Sequence, residues 1–181
     1  RAQIIFVDEF KEKPWELLKV DNEICHLRIN NFCNINPNSK KGSVFLVGDS
    51  HLVTFAKPLA DNLIKRDFNF VPLTNGGCYF FPNFDYIDYL TQKVMFGCNV
   101  NYQNKRLDLI SKKEKPIVII GGNLNRYLSN VDINNIKSSF IFHDNDDLLS
   151  ESLISSIRDL LNRDVKVILI YPIPEIPWDP L

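Results

Sequence analysis

The sequence predicts an α/β fold: a three-layer sandwich with a central, mainly parallel sheet of about four to five strands and helices on both faces. Short, uniformly apolar runs rich in β-branched residues alternate with longer segments whose apolar residues recur at helical spacing. The apolar runs end in turns rich in glycine, asparagine or proline. Buried strands that alternate with helices are typical of a parallel sheet covered on both sides.

The elements follow from these patterns in chain order. The apolar runs predict strands over 43–47 (SVFLV), 68–73 (FNFVPL), 116–120 (PIVII) and 165–171 (VKVILIY), and a short strand over 139–142. Helical spacing predicts a helix from Leu52 to Arg66 and another over 147–162. The segment 79–113 is read as an aromatic loop followed by a helix that ends in the charged "SKKEK".

The chain divides into an extension and a domain. Residues 1–42 lack a regular pattern and are rich in asparagine, so we expect an extension that wraps the domain, with one short helix near Trp15–Val20. Residues 43–181 carry the α/β pattern, and 181 residues that are 45% hydrophobic suit one core. The start at Arg1 and the end at Leu181 favour a piece of a longer chain, with the domain incomplete at its C-terminus, over a processed mature protein.

Composition excludes several function classes. A net charge of −1 and a pI near 6.3 give no basic face, so nucleic acid is not the expected partner. No stretch approaches the ~20 apolar residues of a membrane span. The glycine-rich nucleotide motifs and the CxxC pairs of zinc sites are absent, so we expect neither a cofactor nor a metal.

The four cysteines allow three pairings. The local ones, Cys25 with Cys33 and Cys78 with Cys98, would each close a loop, and we favour them. The alternative is four reduced thiols, which the cysteine count alone does not exclude.

Three loops at the predicted carboxyl edge of the sheet carry candidate site residues. Ser50 stands where the first strand turns into a helix, Gly76 and Gly77 follow the second strand, and Asn123 follows the third. Backbone N–H groups and an amide side chain placed there can donate to an oxyanion. Taken alone, each residue also fits a helix cap or a plain turn.

These motifs carry a resemblance. "GDSH", "GGC" and "GGN", in this order, resemble the SGNH (GDSL-type) hydrolase superfamily, whose topology is flavodoxin-like. "VFLVGDSH", "NGGCYFFP" and "VILIYPIPE" are most similar to the SGNH domain fused to the C-terminus of bacterial membrane O-acyltransferases, over residues 43–178. The wider family has Gly-x-Asn-Asp, whereas this chain has Gly121-Gly122-Asn123-Leu124.

The resemblance implies roles for the site residues. Ser50 would be the nucleophile, and its own N–H, Gly77 (less favoured, Gly76) and Asn123 would form the oxyanion hole. Asp49 would bond locally and shape the turn. The implied activity is O-acetylation of a cell-surface or envelope polysaccharide by a periplasmic or extracytoplasmic domain tethered to the membrane. An upstream membrane acyltransferase domain would deliver the acyl donor, a glycan would be the acceptor, and no cofactor is implied.

The general base is not evident in the sequence. The superfamily supplies Asp-x-x-His, and no Asp here has His three residues later, so we expect the pair beyond Leu181. The His51 side chain would leave the helix about 100° round from Ser50, which favours a shaping role near the site. His26 is predicted to be structural. His143 is predicted to be a surface histidine of a loop, and an approach to the site is the alternative.

Two further residues and two further functions stay open. Arg126 and Tyr127 would either line the pocket or lie on a helix surface. The same chemistry with water as acceptor gives an esterase or deacetylase acting on acylated sugars or lipids. The third hypothesis is not an enzyme: without Asp-x-x-His, the domain would be an inactive remnant that binds carbohydrate.

Overall fold

A four-stranded parallel sheet lies at the centre of the computed structural model, which describes residues 16–88, 93–95, 97–124, 140–141 and 146–170. The elements in chain order are β1 (Lys19–Val20), β2 (Glu23–Ile24), β3 (Ser43–Gly48), α1 (Val53–Lys65), β4 (Asn69–Thr74), β5 (Ile87–Asp88), β6 (Lys93–Val94), α2 (Val100–Ser111), β7 (Ile117–Gly121), β8 (Phe140–Ile141), α3 (Asp146–Asn162) and β9 (Lys166–Leu169). The central sheet has the order β4-β3-β7-β9, and all its neighbours are parallel. The predicted fold class is therefore confirmed.

The two faces of the sheet explain the uniformly apolar strands. On β3, Val44 and Leu46 pack in one cluster with the buried side of α1, whereas Phe45 and Val47 pack in another with residues of α2 and α3. Successive side chains of a strand point to opposite faces, so a strand covered on both sides needs apolar residues throughout. The helices thus form a layer on each side of the sheet.

The first crossovers place a crevice next to β3. The helix between β3 and β4 covers one face, and the helix between β4 and β7 covers the other. Where neighbouring crossovers go to opposite faces, an open α/β sheet leaves a crevice at the carboxyl ends of its strands. Pro72 lies in β4, which is an edge strand of the central sheet. Proline has no backbone N–H to donate, and an edge strand tolerates this because no strand of the sheet lies on its outer side.

The predicted short helix near Trp15–Val20 is wrong over the described residues. Trp15 lies outside them, and Lys19–Val20 is a strand that pairs antiparallel with Glu23–Ile24. The two connecting residues, Asp21 and Asn22, have φ of 50° and 65°. A two-residue loop with positive φ at both positions closes a hairpin, and Asp and Asn tolerate it better than most residues.

Short strands outside the main sheet form a second, antiparallel sheet. Its order is β6-β5-β8, and Ile87 pairs with Val94 on one side and with Ile141 on the other. The short strand expected over 139–142 is present as Phe140–Ile141, but it belongs to this second sheet. A sequence pattern two residues long does not indicate which sheet a strand joins.

Both predicted disulfides are present. Cys25 bonds to Cys33 and Cys78 to Cys98, each with a Cα–Cα distance of 5.6 Å. Within the described part of the chain, no helix combines the length and apolarity needed to cross a membrane.

Candidate active site

Strand register brings the three predicted loops to one edge of the sheet. Gly48 of β3 is aligned with Thr74 of β4 on one side and with Gly121 of β7 on the other. Ser50, Gly76 and Asn123 each lie two residues beyond one of these aligned positions. The loops therefore leave the sheet side by side, at the crevice flanking β3.

Ser50 is exposed at this edge. It opens a short 3-10 turn, Ser50–Leu52, that leads directly into α1, and Asp49 is the residue that caps the turn. Backbone N–H groups at the start of a helix lack partners within the helix and favour negative charge nearby. An exposed hydroxyl at the start of a helix is a candidate nucleophile, because a backbone N–H in that position can donate to an oxyanion.

Asp49 joins the Ser50 turn to the Asn123 loop. Its side chain is 2% exposed, and its Oδ1 accepts from the backbone N–H of His51 at 2.9 Å. Its Oδ2 accepts from the backbone N–H of Asn123 at 2.8 Å. One carboxylate thus holds two loops that are 74 residues apart in sequence. The local role predicted for Asp49 accounts for the first contact, and the second extends beyond it.

Close packing explains the glycines around Asp49. A Cβ on Gly48 would lie 2.0 Å from the carbonyl oxygen of Gly121. A Cβ on Gly122, where φ is +134°, would lie 2.6 Å from the Asp49 carboxylate. A side chain at either position would separate the β3 turn from the β7 turn, so the close approach of the two turns requires glycine at 48 and at 122.

The loop with Gly76 and Gly77 is held from two directions. Asn75 donates its backbone N–H to the Gly48 carbonyl at 3.0 Å and its buried side-chain amide to the Gly97 carbonyl. Both glycines are half-buried, and the disulfide from Cys78 to Cys98 follows them at once. This arrangement does not distinguish Gly77 from Gly76 as the oxyanion donor, so the preference for Gly77 stays a prediction.

The histidine beside Ser50 contacts Asp49. Nδ1 of His51 lies 3.2 Å from Asp49 Oδ1, and the His51 side chain is 48% exposed. This contact directs the imidazole toward the residue before Ser50, which agrees with the shaping role expected for His51. The role itself remains a prediction.

A second histidine reaches the same edge from the N-terminal segment. His26 Nδ1 lies 3.1 Å from Thr74 Oγ1, and the next residue, Leu27, donates its N–H to the Thr74 carbonyl at 3.2 Å. Burial lowers the pKa of His26; the Arg106 charge acts in the same direction, whereas the Thr74 contact and the Asp49 carboxylate raise it. The site environment therefore favours a neutral imidazole.

Two buried polar residues behind these loops are not evident from the loop motifs of the sequence. Gln103 and Arg106 on α2 are fully buried and donate to backbone carbonyls of the Cys78–Tyr79 segment. The available signal was helical spacing, because Arg106 lies between Tyr102 and Ile110 on the buried side of the helix. A charged residue in an apolar stripe indicates a specific buried contact.

Three candidates cannot be placed. Arg126, Tyr127 and His143 lie outside the described residues. The pocket-lining role predicted for Arg126 and Tyr127 therefore stays a prediction.

Comparison with known families decides the relationship. The family model described as "SGNH domain (fused to AT3 domains)" matches residues 19–181. The chain belongs to this SGNH domain family. The match includes residues 19–42 of the predicted extension together with the α/β region. No curated protein and no solved structure gives a significant match.

Family membership sets the broad chemistry. SGNH domains belong to a hydrolase and acyltransferase family, and fusion to AT3 domains indicates acyl transfer or ester cleavage. The fusion and the two disulfides together point to an extracytoplasmic setting, since disulfides persist in oxidising compartments.

Proposed function

We propose that this SGNH domain transfers an acyl group through a covalent ester on Ser50. The acyl group is acetyl, and the final acceptor is a hydroxyl of a cell-surface or envelope polysaccharide. The donor is an acyl ester or thioester supplied by a membrane acyltransferase domain of the full-length protein. The domain works on the periplasmic or extracytoplasmic side of the membrane.

The reaction has two balanced steps. In the first, Ser50 Oγ attacks the acyl carbonyl carbon, the bond from that carbon to the donor oxygen or sulfur breaks, and the serine proton leaves with the donor group. In the second, a sugar hydroxyl attacks the carbonyl carbon of the Ser50 ester and forms the acyl–sugar bond. The bond from that carbon to Ser50 Oγ breaks, and the sugar proton passes to Ser50 Oγ. Each step passes through an oxyanion bound by the backbone N–H groups of Ser50 and Gly77 and by the side-chain amide of Asn123.

The main support for the proposal is the pair of hydrogen bonds that the Asp49 carboxylate accepts. The buried carboxylate fixes the backbone of Ser50's neighbour His51 and of Asn123 relative to one another. A preorganised site has its donors in place before charge develops, so little reorganisation accompanies the reaction. Asp49 is accordingly a positioning residue, and Ser50, Gly77 and Asn123 touch the reacting atoms.

Substitution of the nucleophile tests the first step. The full-length protein is incubated with an activated acetyl ester, and the acetylated peptide is identified by mass spectrometry after proteolysis. Ser50→Ala should abolish the adduct, because Ser50 carries the proposed nucleophile and the neighbouring Thr54 hydroxyl already donates to the His51 carbonyl at 3.2 Å. The matched control is Ser155→Ala, an exposed serine on α3, which should label like the unchanged protein.

The acceptor is tested by a chase. Adding an envelope polysaccharide to the acetylated protein should move the acetyl group to sugar faster than water removes it. Release to water alone would assign an esterase instead. Glycan binding without acetylation of Ser50 would assign a carbohydrate-binding domain.

A further inference from the structure

Arg106 is a buried cation close to the candidate site. Its side chain is among the largest fully buried ones, and it takes part in no ion pair among the described residues. A guanidinium keeps its proton in proteins, and burying an unpaired charge is costly. Its hydrogen-bond partners among the described residues are all neutral groups.

Backbone carbonyls and an aromatic ring compensate the buried charge. Nη1 donates to the Cys78 and Tyr79 carbonyls, both at 3.3 Å, and to Gln103 Oε1 at 3.4 Å, while Nη2 donates to the Gly48 carbonyl at 3.3 Å. The guanidinium carbon lies 4.4 Å from the Tyr102 ring centroid. These hydrogen bonds are long, and Nε has no partner among the described residues. Several modest contacts therefore replace one strong ion pair.

The contacts of Arg106 join two specific places. Gly48 is two residues before Ser50, and Cys78 follows Gly77 directly. By comparison, Gln103 donates to the Cys78–Tyr79 segment and the disulfide but not to the β3 turn. The planar fork of arginine can hold two acceptors in fixed directions, which the single ammonium of lysine cannot.

We propose that Arg106 is a positioning residue that sets the separation between the Ser50 turn and the Gly77 loop. The inference rests on the proposed function, because these two segments would supply the backbone donors of the oxyanion hole. Oxyanion donors act only at short range from the developing charge. A shift of either loop would therefore reduce the stabilisation of the transition state more than it reduces the affinity for the substrate.

Arg106→Lys in the full-length protein is the direct test. It keeps the charge but loses the fork, so kcat for an activated acetyl ester should fall by about 10- to 100-fold. KM should change little, because the fork does not touch the substrate. Arg158→Lys, on an exposed part of α3, is the matched control and should keep the original kcat.

A second pair of variants covers the case in which Arg106→Lys does not fold. Tyr102→Leu keeps the guanidinium and removes the ring beside it, so kcat should fall in the same direction by a smaller factor. Tyr102→Phe keeps the ring and removes a hydroxyl that has no partner among the described residues, so kcat should be unchanged. Equal kcat in the Leu and Phe variants would overturn the proposal.

Hydrogen exchange separates this inference from the proposed function. Loss of the fork should accelerate amide exchange in the Ser50 turn and in the Gly77 loop together, after correction for global stability. If Ser50 is never acylated but both segments respond, the chemistry is wrong and the positioning role stands. If only one segment responds, or KM alone changes, Arg106 does not link the two loops.

Discussion

Gly122 shows how one residue constrains the site. Its φ of +134° and its contact with the Asp49 carboxylate leave no room for a Cβ, which would stand 2.6 Å from that carboxylate. The next residue, Asn123, donates its N–H to the same carboxylate. The glycine thus permits the close approach on which the position of Asn123 depends.

Gly122→Ala should therefore affect both stability and chemistry. The backbone conformation alone costs about 1–3 kcal/mol for a residue with a side chain. The displaced Asp49 carboxylate adds to this, and acetylation of Ser50 should slow by roughly 100-fold, the scale of losing one oxyanion donor. Urea denaturation and the labelling rate of the full-length protein measure the two effects.

The control for this substitution is Gly42→Ala. Gly42 has φ of +109°, and a Cβ there would meet nothing within 4 Å. The Gly42→Ala variant should lose stability only through the unfavourable backbone conformation, and its rate of labelling at Ser50 should stay unchanged. Equal losses of rate at both positions would show that backbone strain, and not the contact with Asp49, explains the Gly122 result.

At the residue scale, the sequence was sufficient to locate loops but not partners. Ser50, Gly76 and Asn123 fall at strand ends because an apolar run followed by a glycine-rich turn is visible in the letters. The contacts of Asp49 with Asn123 and of Arg106 with Gly48 span 74 and 58 residues. No local pattern in a single sequence predicts such distant pairs.

At the scale of elements, α2 and the disulfide at its start form the support of the Gly77 loop. Asn99 caps the helix by accepting from the Tyr102 N–H at 2.9 Å, and Cys98 lies just before it. Gln103 then donates to the Tyr79 carbonyl at 2.8 Å. The loop after β4 is thus fixed both to α2 and to the Gly97–Cys98 segment that precedes the helix.

Removal of the Cys78–Cys98 bond should test that support. The paired Cys78→Ala and Cys98→Ala substitutions open a 20-residue separation, for which loop-closure entropy gives about 3 kcal/mol. Because the loop also loses a covalent anchor, acetylation of Ser50 should slow as well. Denaturation and labelling rates again measure the two effects.

The other disulfide provides the comparison. Opening the 8-residue separation of Cys25 and Cys33 should cost about 2.5 kcal/mol and leave the labelling rate close to the original. A similar loss of rate in both paired variants would mean that stability, and not the anchoring of the Gly77 loop, limits the reaction.

Elements were predictable where periodicity was long. Helix α1 and the four parallel strands follow from runs of five or more patterned residues. The failure near Trp15–Val20 concerns a hairpin of two-residue strands, where the turn residues Asp21 and Asn22 were the better signal. Strands β5 and β6 are equally short, and their pairing depends on tertiary contacts.

At the scale of the whole molecule, the segment before β3 packs around the edge strand β4. Ile35 and Phe70 exchange two backbone hydrogen bonds of 2.9 Å, so part of the outer edge of β4 is paired. Leu18 lies in the cluster on the α1 face, whereas Phe32 packs against the cluster on the α2 face. The segment therefore contributes to both apolar layers and covers an edge that would otherwise favour association.

Such packing predicts that the segment and the sheet unfold together. Leu18→Ala removes a side chain that is 7% exposed and should lower the free energy of unfolding by about 2–5 kcal/mol. Fluorescence and far-UV circular dichroism should report one transition with a common midpoint, shifted to lower urea. If the segment did not contribute to the stability of the domain, the urea midpoint for unfolding of the sheet would not change.

Leu27→Ala is the matched control for this prediction. Leu27 belongs to the same segment but is 60% exposed, so the change should be within about 0.5 kcal/mol. A large loss at Leu18 with almost none at Leu27 would assign the effect to the buried contact with the α1 face. Because His26 and Leu27 contact Thr74 at the carboxyl edge, the same coupling links the stability of this segment to the geometry of the candidate site.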